Sequence, residues 1–488
     1  MSFQNQSGEL AGFTEVVPAS ASFGVPERSS ILTGRRRARV TPQTGSTSSP
    51  SQQIQFLIAD QGGMIDMKSV VINYTVLTSG TAAPVMDDAH PFMNLQVLLN
   101  GQLLENQQNA CKTANVEMAL GGSRGYYKTA GSFQGFELLN DDLDTLSSGL
   151  APAVVTPGSV GSYGFVAGNL GSIYDRQSRV AAAIFNNIAG EQRSIPLGLC
   201  CGLGRMNTYV PISLIGELAL VLTTGSENDV LVNTLASGTS TYTLSNLSIE
   251  YDIVVPDARY FNLLKKIATE DGNGLVMPFE STVVSTAGSI AASATLTESA
   301  IIVSRATNNL LRANVVFIPT AGNSVNYPSQ SCFSHAGVYS VQFRIGSQVY
   351  PQIACQGDAS LFNMSMAAYG SVQQENGTCI NRCLWGNSTD PASRGTTTLQ
   401  VLETADLSTG GSAKFCYGDR FIPSYGFGTL KGGLEPNIVD GVNLSGSSGS
   451  QLIVSIISAP TVGYTPYVIT TATKFIVAKQ GSVMVQGA

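Results

Sequence analysis

The chain has 488 residues, a net charge of −7 and 12% charged residues, about half the ~25% of an average soluble domain. Its hydrophobic share of 43% can build a large core. The net negative charge excludes binding of a polyanion by bulk electrostatics, and no run of 18 or more apolar residues predicts a membrane-spanning helix. The best apolar candidate, Ile212–Leu222, is too short and contains Glu217. MSFQNQSGEL has neither a basic n-region nor an apolar h-region, so no secretory signal is expected. The eight scattered Cys then read as mostly reduced, buried thiols. So little charge on so long a chain implies that much of its surface is covered by a partner, by further copies of itself, or by both.

Residues 1–52 read as a flexible basic arm, rich in Ser, Gly, Gln and Pro and closing on TPQTGSTSSPSQQ. Such a composition cannot bury enough apolar surface to fold alone. The arm holds five Arg against three Glu (+2) and leaves the remainder at −9, with 21 basic and 30 acidic residues. Arg35, Arg36, Arg37 and Arg39 form its basic cluster. The cluster can be read as a contact for genome phosphates, for an anionic lipid layer, as a nuclear-import patch, or as a solvated arm.

From Ile54 onward the texture is β. IQFLIA is a short strand, and MIDMKSVVINYTVLT alternates with one wholly apolar face and one mixed face, as in a sandwich. LQVLL and QLLEN flank Asn100-Gly101, a dipeptide that accepts the positive φ angles of a type I′ hairpin turn. Gly- and Ser-dense sequence over 120–171 predicts loops and short helical turns at one end of a sandwich. SIPLGLCCGL, MNTYVPISLIGELALVLTT and TYTLSNLSIEYDIVVP return to strand texture, with Cys200 and Cys201 on alternating strand faces. Pro256-Asp257 opens the clearest helix, ARYFNLLKKIA, with Phe261, Leu264 and Ile267 on one side, Leu263 beside them, and Gly272 and Gly274 beyond its end.

The β texture then resumes in MPFESTVV, SAIIVSRATNNLLRANVVFIP and GVYSVQFRIGSQVYPQI. A loop-rich stretch near 376–395 leads to AKFCYGDRFIP, QLIVSIISA and YVITTATKFIVAKQGSVMV. Two halves of about 200 residues thus share one plan without a letter-level repeat. The expected fold is all-β: two tandem eight-stranded jelly-roll sandwiches joined by a short helix. Their boundaries are read as 53–255 and 275–488, with the linker helix at 256–274.

Chemistry is sparse. His90 and His335 are the only His, no Gly-x-Ser-x-Gly elbow or phosphate loop occurs, and no cofactor or metal pattern is found. Asp141, Asp142 and Asp144 near Glu137 read as a solvated loop. Cys379 and Cys383 have metal-like spacing without a matching second pair. They read as structural thiols, as a disulfide formed in a released particle, or as metal ligands.

Three segments resemble double jelly-roll major capsid proteins, those of polinton-like viruses and virophages above all. Val338–Ile353 carries Ile345-Gly346-Ser347 followed by Tyr350-Pro351; Ser194–Thr224 resembles a strand pair of the first barrel; and Thr241–Phe261 resembles that barrel's last strand and its exit into the linker helix. The resemblance implies a non-enzymatic virion protein made in the host cell without secretion. It also implies homotrimers forming pseudo-hexameric capsomers that tile an icosahedral shell around double-stranded DNA. The partners are then neighbouring capsomers, minor capsid and penton proteins, and genomic DNA or an inner lipid layer met by the arm. Missing charge should concentrate on the barrel flanks. The rival readings are a receptor- or glycan-binding β-sandwich of a virion surface or fibre, which calls for an exposed aromatic cluster, and a carbohydrate-active enzyme, which needs paired strand carboxylates. The candidate acids for the latter are Glu217, Glu250 and Asp252.

Overall fold

The computed structural model describes residues 32–59, 62–80, 84–86, 90–123, 126, 130–131, 133–135, 191–233, 239–269, 274–304, 309–320, 330, 333–370, 380, 385, 420–428, 441–442, 451–460, 463–479 and 482–486. In chain order the first half forms β1 (Leu32–Val40), β2 (Gln53–Ile58), β3 (Met64–Ser79), β4 (Pro84–Met86), β5 (Phe92–Leu99), β6 (Gln102–Gln108) and helix α1 (Ala110–Gly121). It continues with β7 (Glu191–Pro196), β8 (Leu218–Thr224), β9 (Leu231–Asn233) and β10 (Thr241–Pro256). Helix α2 (Ala258–Thr269) links it to β11 (Leu275–Thr286), β12 (Thr297–Ser304), β13 (Leu310–Pro319), β14 (Val338–Ile345), β15 (Gln348–Gln356) and helix α3 (Asp358–Ala368). Strands β16 (Ser424–Gly426), β17 (Gln451–Ser458), β18 (Tyr464–Lys479) and β19 (Ser482–Gln486) complete the second half.

The sheets confirm two jelly rolls. The first pairs the sheet β1-β10-β3-β7 with the sheet β2-β8-β5-β6; the second pairs β11-β18-β13-β16 with β12-β17-β14-β15. Every pairing is antiparallel, and the strand order is the same in both rolls. Each roll also inserts a helix after its fifth core strand, α1 after β6 and α3 after β15. The duplication is therefore one of topology. The small pair β4-β9 and the terminal strand β19, which pairs with β18, stand outside it.

Local chemistry explains the elements. The hairpin turn holds Asn100 at φ 49° and Gly101 at φ 77°, as a type I′ turn requires. Gly346, at φ 58°, turns β14 into β15. Asp257 caps α2 by accepting from the Arg259 N–H at 2.7 Å. Helix α2 buries Leu264 and Ala268, while Leu263 points outward.

Three expectations are corrected. Residues 32–40, expected within a flexible arm, form edge strand β1, which pairs antiparallel with β10 in continuous register from Gly34 to Val40 after a shift between Leu32 and Gly34. Cys200 and Cys201 do not alternate on a strand. Pro196 ends β7, Leu197–Cys200 makes one helical turn, and both thiols lie in the same core. Helices α1 and α3 form where no helix was expected, because both are largely buried and show no amphipathic stripe.

The rolls interlock. Ala114, Val116 and Leu120 of α1 join the core of the second roll beside Val315 and Phe317. Met277, Phe279 and Ile476 of the second roll join the core of the first. Among the described residues no helix is long and apolar enough to cross a membrane.

Candidate functional site

The arginine cluster lies on the outermost strand of its sheet. Residues alternate faces along a strand; Ala38 and Val40 pack on the core, so Arg35, Arg37 and Arg39 share the outer face and Arg36 takes the other. In register, Arg37 faces Asp252 and Arg39 faces Glu250, while Asp252 faces Asp66 on β3. Two carboxylates directly opposite one another repel. Arg35 bridges them, with Nη2 2.7 Å from Asp66 and Nε 2.9 Å from Asp252. The hydrogen bond to Asp252 raises the pKa of Arg35 above its ordinary value. Arg37 reaches diagonally to Glu250 at 2.9 Å. The basic run is thus largely neutralised within its own sheet. Glu250 and Asp252, considered above as enzymatic carboxylates, serve these ion pairs.

Cys379 and Cys383 lie outside the described residues, as do Glu137, Asp141, Asp142 and Asp144. Cys111, Cys200 and Cys201 are buried; burial pushes the Cys200 and Cys201 thiols far up, out of the reactive range. Among the described residues no group of three His, Cys, Asp or Glu could hold a metal ion. Trp385 is buried and its Nε1 donates to the Asp358 carbonyl at 3.0 Å, while Phe362 and Phe421 pack on its ring.

The opposite sheet of the first roll has a different surface. Its outward positions form three cross-strand rows: Gln53, Thr223, Asn94 and Gln108; then Gln55, Val221, Gln96 and Asn106; then Leu57, Ala219, Leu98 and Leu103. None of the twelve is charged. The partner sheet carries Arg35, Arg37, Arg39, Lys68, Asp66, Glu250 and Asp252 on its outer face. Charge poverty is therefore confined to one sheet of this sandwich and does not extend around both flanks. The corresponding sheet of the second roll exposes Ile302 (56%), Tyr339 (42%) and Ile353 (86%), with Glu298 and Arg344 as its outward charges.

The sequence reading also missed the polar seam between the rolls. The β6 register shifts between Val97 and Leu98, so that Leu104 and Glu105 both turn inward. Glu105 Oε1 accepts from the Gly202 N–H at 3.2 Å, from the Thr282 N–H at 3.1 Å and from Gln107 Nε2 at 3.2 Å; Oε2 accepts from the Leu203 N–H at 3.3 Å. Burial still raises its pKa. Nearby, Glu117 of α1 holds Arg312 of β13 at 2.6 Å and Arg205 at 3.3 Å. Arg312 also stacks 4.1 Å over the Tyr369 ring. This constellation reads as a clamp between the rolls, with Glu105 held by backbone N–H groups of both and Glu117 by Arg205 and Arg312.

No family model matches the chain, and no curated protein matches it. Solved structures do. VP54 of PBCV-1, fitted into a reconstruction of the virophage Sputnik, is similar with a TM-score of 0.52 at 12% identity, over 96% of this chain and 99% of that one. The Faustovirus major capsid protein gives a TM-score of 0.53 at 8% identity, over 94% and 93%. The Sputnik virophage structure gives 0.50 at 11% identity, over 98% and 93%. The likeness is one of fold, the tandem double jelly roll, and it spans nearly the whole of each chain.

Proposed function

We propose that this chain is a viral major capsid protein. The observation that carries the reading is the pair of jelly rolls with identical strand order, β1-β10-β3-β7 over β2-β8-β5-β6 and its repeat, in a chain matched from end to end by capsid proteins. Three chains of two rolls each form a capsomer with six similar sandwiches, which tiles a hexagonal lattice. Capsomers meet their neighbours and minor capsid and penton proteins in an icosahedral shell around double-stranded DNA. The role is structural and involves no catalysis. In the virion, the residues before β1 and the arginines Arg35, Arg36, Arg37 and Arg39 face the genome or an inner lipid layer. The ion pairs of Arg35 and Arg37 make that contact weaker than four free arginines would. Electron microscopy of the purified, concentrated protein tests the reading: capsomer-sized triangular or hexagonal particles, or closed shells, are expected. Dispersed single-chain particles under all salt conditions would overturn it.

A further inference from the structure

We infer that helix α2, the link between the rolls, is a docking surface for an anionic lipid bilayer. It lies on the bilayer and does not cross it. This assignment rests on the capsid reading, in which a shell turns many copies of one surface toward the same layer. It places the lipid contact on the exposed side of α2, whereas Arg35 and Arg37 of β1 are paired within their own sheet.

The fold uses little of this helix. Of its 12 residues only Leu264 and Ala268 are buried, four apart on the side that lies against β11 and β18. Arg259, Asn262, Leu263, Lys265 and Lys266 are exposed, Leu263 at 53%. An exposed leucine is ordinary by itself; its neighbours give this one meaning. Helical spacing sets Tyr260, Leu263 and Ile267 in one row, at i, i+3 and i+7. Tyr260 and Ile267 are half-buried. Arg259 and Lys266, four before and three after Leu263, stand beside it on the solvent side. A shallow apolar row thus runs along the helix with cations at its border.

The charge pattern matches an anionic surface. In a chain of net charge −7, α2 has three cations and no acidic residue. Asp257 before it and Glu270 and Asp271 after it balance these in the sequence, so the attraction is local to the outer side of the helix. Lys479 adds a cation at the same end of the molecule, next to Ala478, which pairs with Leu275 at the start of β11. Strand β1 enters there too, with Leu32 opposite Pro256. Duplex phosphates would satisfy the cations but leave Leu263 in water. A bilayer satisfies both: lipid phosphates meet Arg259 and Lys266, Leu263 enters the acyl boundary, and Tyr260 sits at headgroup level. One such helix binds weakly and reversibly; many copies on one shell multiply the contact.

The test is co-sedimentation of the full chain with vesicles of phosphatidylcholine, alone or with about one-third phosphatidylserine. Binding to the anionic vesicles should exceed binding to the neutral ones by roughly tenfold at low salt and fall as salt rises. Arg259→Gln with Lys266→Gln should weaken it roughly tenfold, and Leu263→Gln roughly fivefold. Both variants should keep the circular dichroism spectrum and melting temperature of the wild type, since all three side chains are exposed. Arg344→Gln, which removes a cation from a sheet face of the second roll, should change binding less than about twofold. Equal binding to neutral and anionic vesicles, or α2 variants that bind as the wild type does, overturns the surface. Loss on removing the cations with none on Leu263→Gln, accompanied by an equal loss of affinity for a short DNA duplex, overturns the lipid assignment in favour of a phosphate contact. Trimers or shells that form but ignore anionic vesicles overturn the surface and leave the capsid reading intact. A chain that stays single under all salt conditions overturns the capsid reading itself.

Discussion

Glu105 Oε1 accepts the backbone N–H of Thr282 at 3.1 Å, tying a buried carboxylate of the first jelly roll to the opening strand of the second. The same side chain holds the N–H groups of Gly202 and Leu203, so one residue fixes a turn of its own roll against its neighbour. Glu105→Ala leaves three backbone donors without their acceptor. Three stranded groups at about 1–3 kcal/mol each are offset in part by relief from burying the carboxylate, so the expected loss is about 3–5 kcal/mol in urea unfolding. A loss under about 1 kcal/mol would show that the clamp contributes little.

Gly202 approaches β11 so closely that an added Cβ would stand 1.6 Å from the Glu280 carbonyl oxygen. Gly202→Ala therefore forces the seam apart and should destabilise by more than about 2 kcal/mol, the upper range of overpacking. Gly288→Ala is the control, since its Cβ would meet nothing within 4 Å. Equal melting temperatures for the two variants would contradict the close approach.

The interlocked cores predict one cooperative transition. Leu120 belongs to α1 of the first half but is fully buried in the core of the second. Leu120→Ala should cost about 2–5 kcal/mol and lower a single melting transition in differential scanning calorimetry. Two separate transitions, only one of them shifted, would mean that the rolls unfold independently.

Acid should weaken the fold through His90. Burial, with the nearby Arg193 charge, pushes its pKa down from 6.5 to about 3. A His held neutral in the folded state and protonated in the unfolded state stabilises the fold above pH 6.5, and that contribution is lost as pH falls from 6.5 toward 3, by up to roughly 5 kcal/mol. Glu105, whose pKa is raised, acts with the opposite sign, stability falling as pH rises through its window. The histidine term is therefore isolated as the difference between wild type and His90→Phe. Parallel stability curves for the two between pH 6.5 and 4 would contradict the assignment.

Two of the three outer-face arginines, Arg35 and Arg39, should behave differently toward polyanions. Arg35 is held by Asp66 and Asp252, while the facing partner of Arg39, Glu250, is taken by Arg37. Arg39→Ala should lower the salt slope of binding to a short DNA duplex by about 1. Arg35→Ala should leave the slope unchanged and alter stability by no more than about 1 kcal/mol, as an exposed pair does. Equal slopes for wild type and Arg39→Ala would remove the polyanion role from this strand.

The sequence made legible what depends on local pattern. Alternation marked β3 and β10, Asn100-Gly101 marked the β5–β6 hairpin, and Asp257 marked the start of α2. It concealed what depends on neighbours far along the chain. The run Leu32–Val40 has four Thr, Gly or Arg residues in a row, Thr33 to Arg36, before Arg37 is reached, and reads as an arm until Asp66, Glu250 and Asp252 arrive from β3 and β10 to satisfy it; charged edge strands are a common way to block further pairing. Helix α1 is apolar or buried on nearly every side because it enters the other roll's core, so no periodic stripe betrays it. The uncharged sheet face was visible only as a low overall charge, since its twelve positions are spread over four strands and need the register to come together.

The most direct test of the account is the mass of the purified full chain in solution by size-exclusion chromatography with multi-angle light scattering. A stable species at three times the chain mass of 51.1 kDa is expected at micromolar concentration and physiological salt. A monodisperse single-chain species under those conditions would contradict the capsid reading.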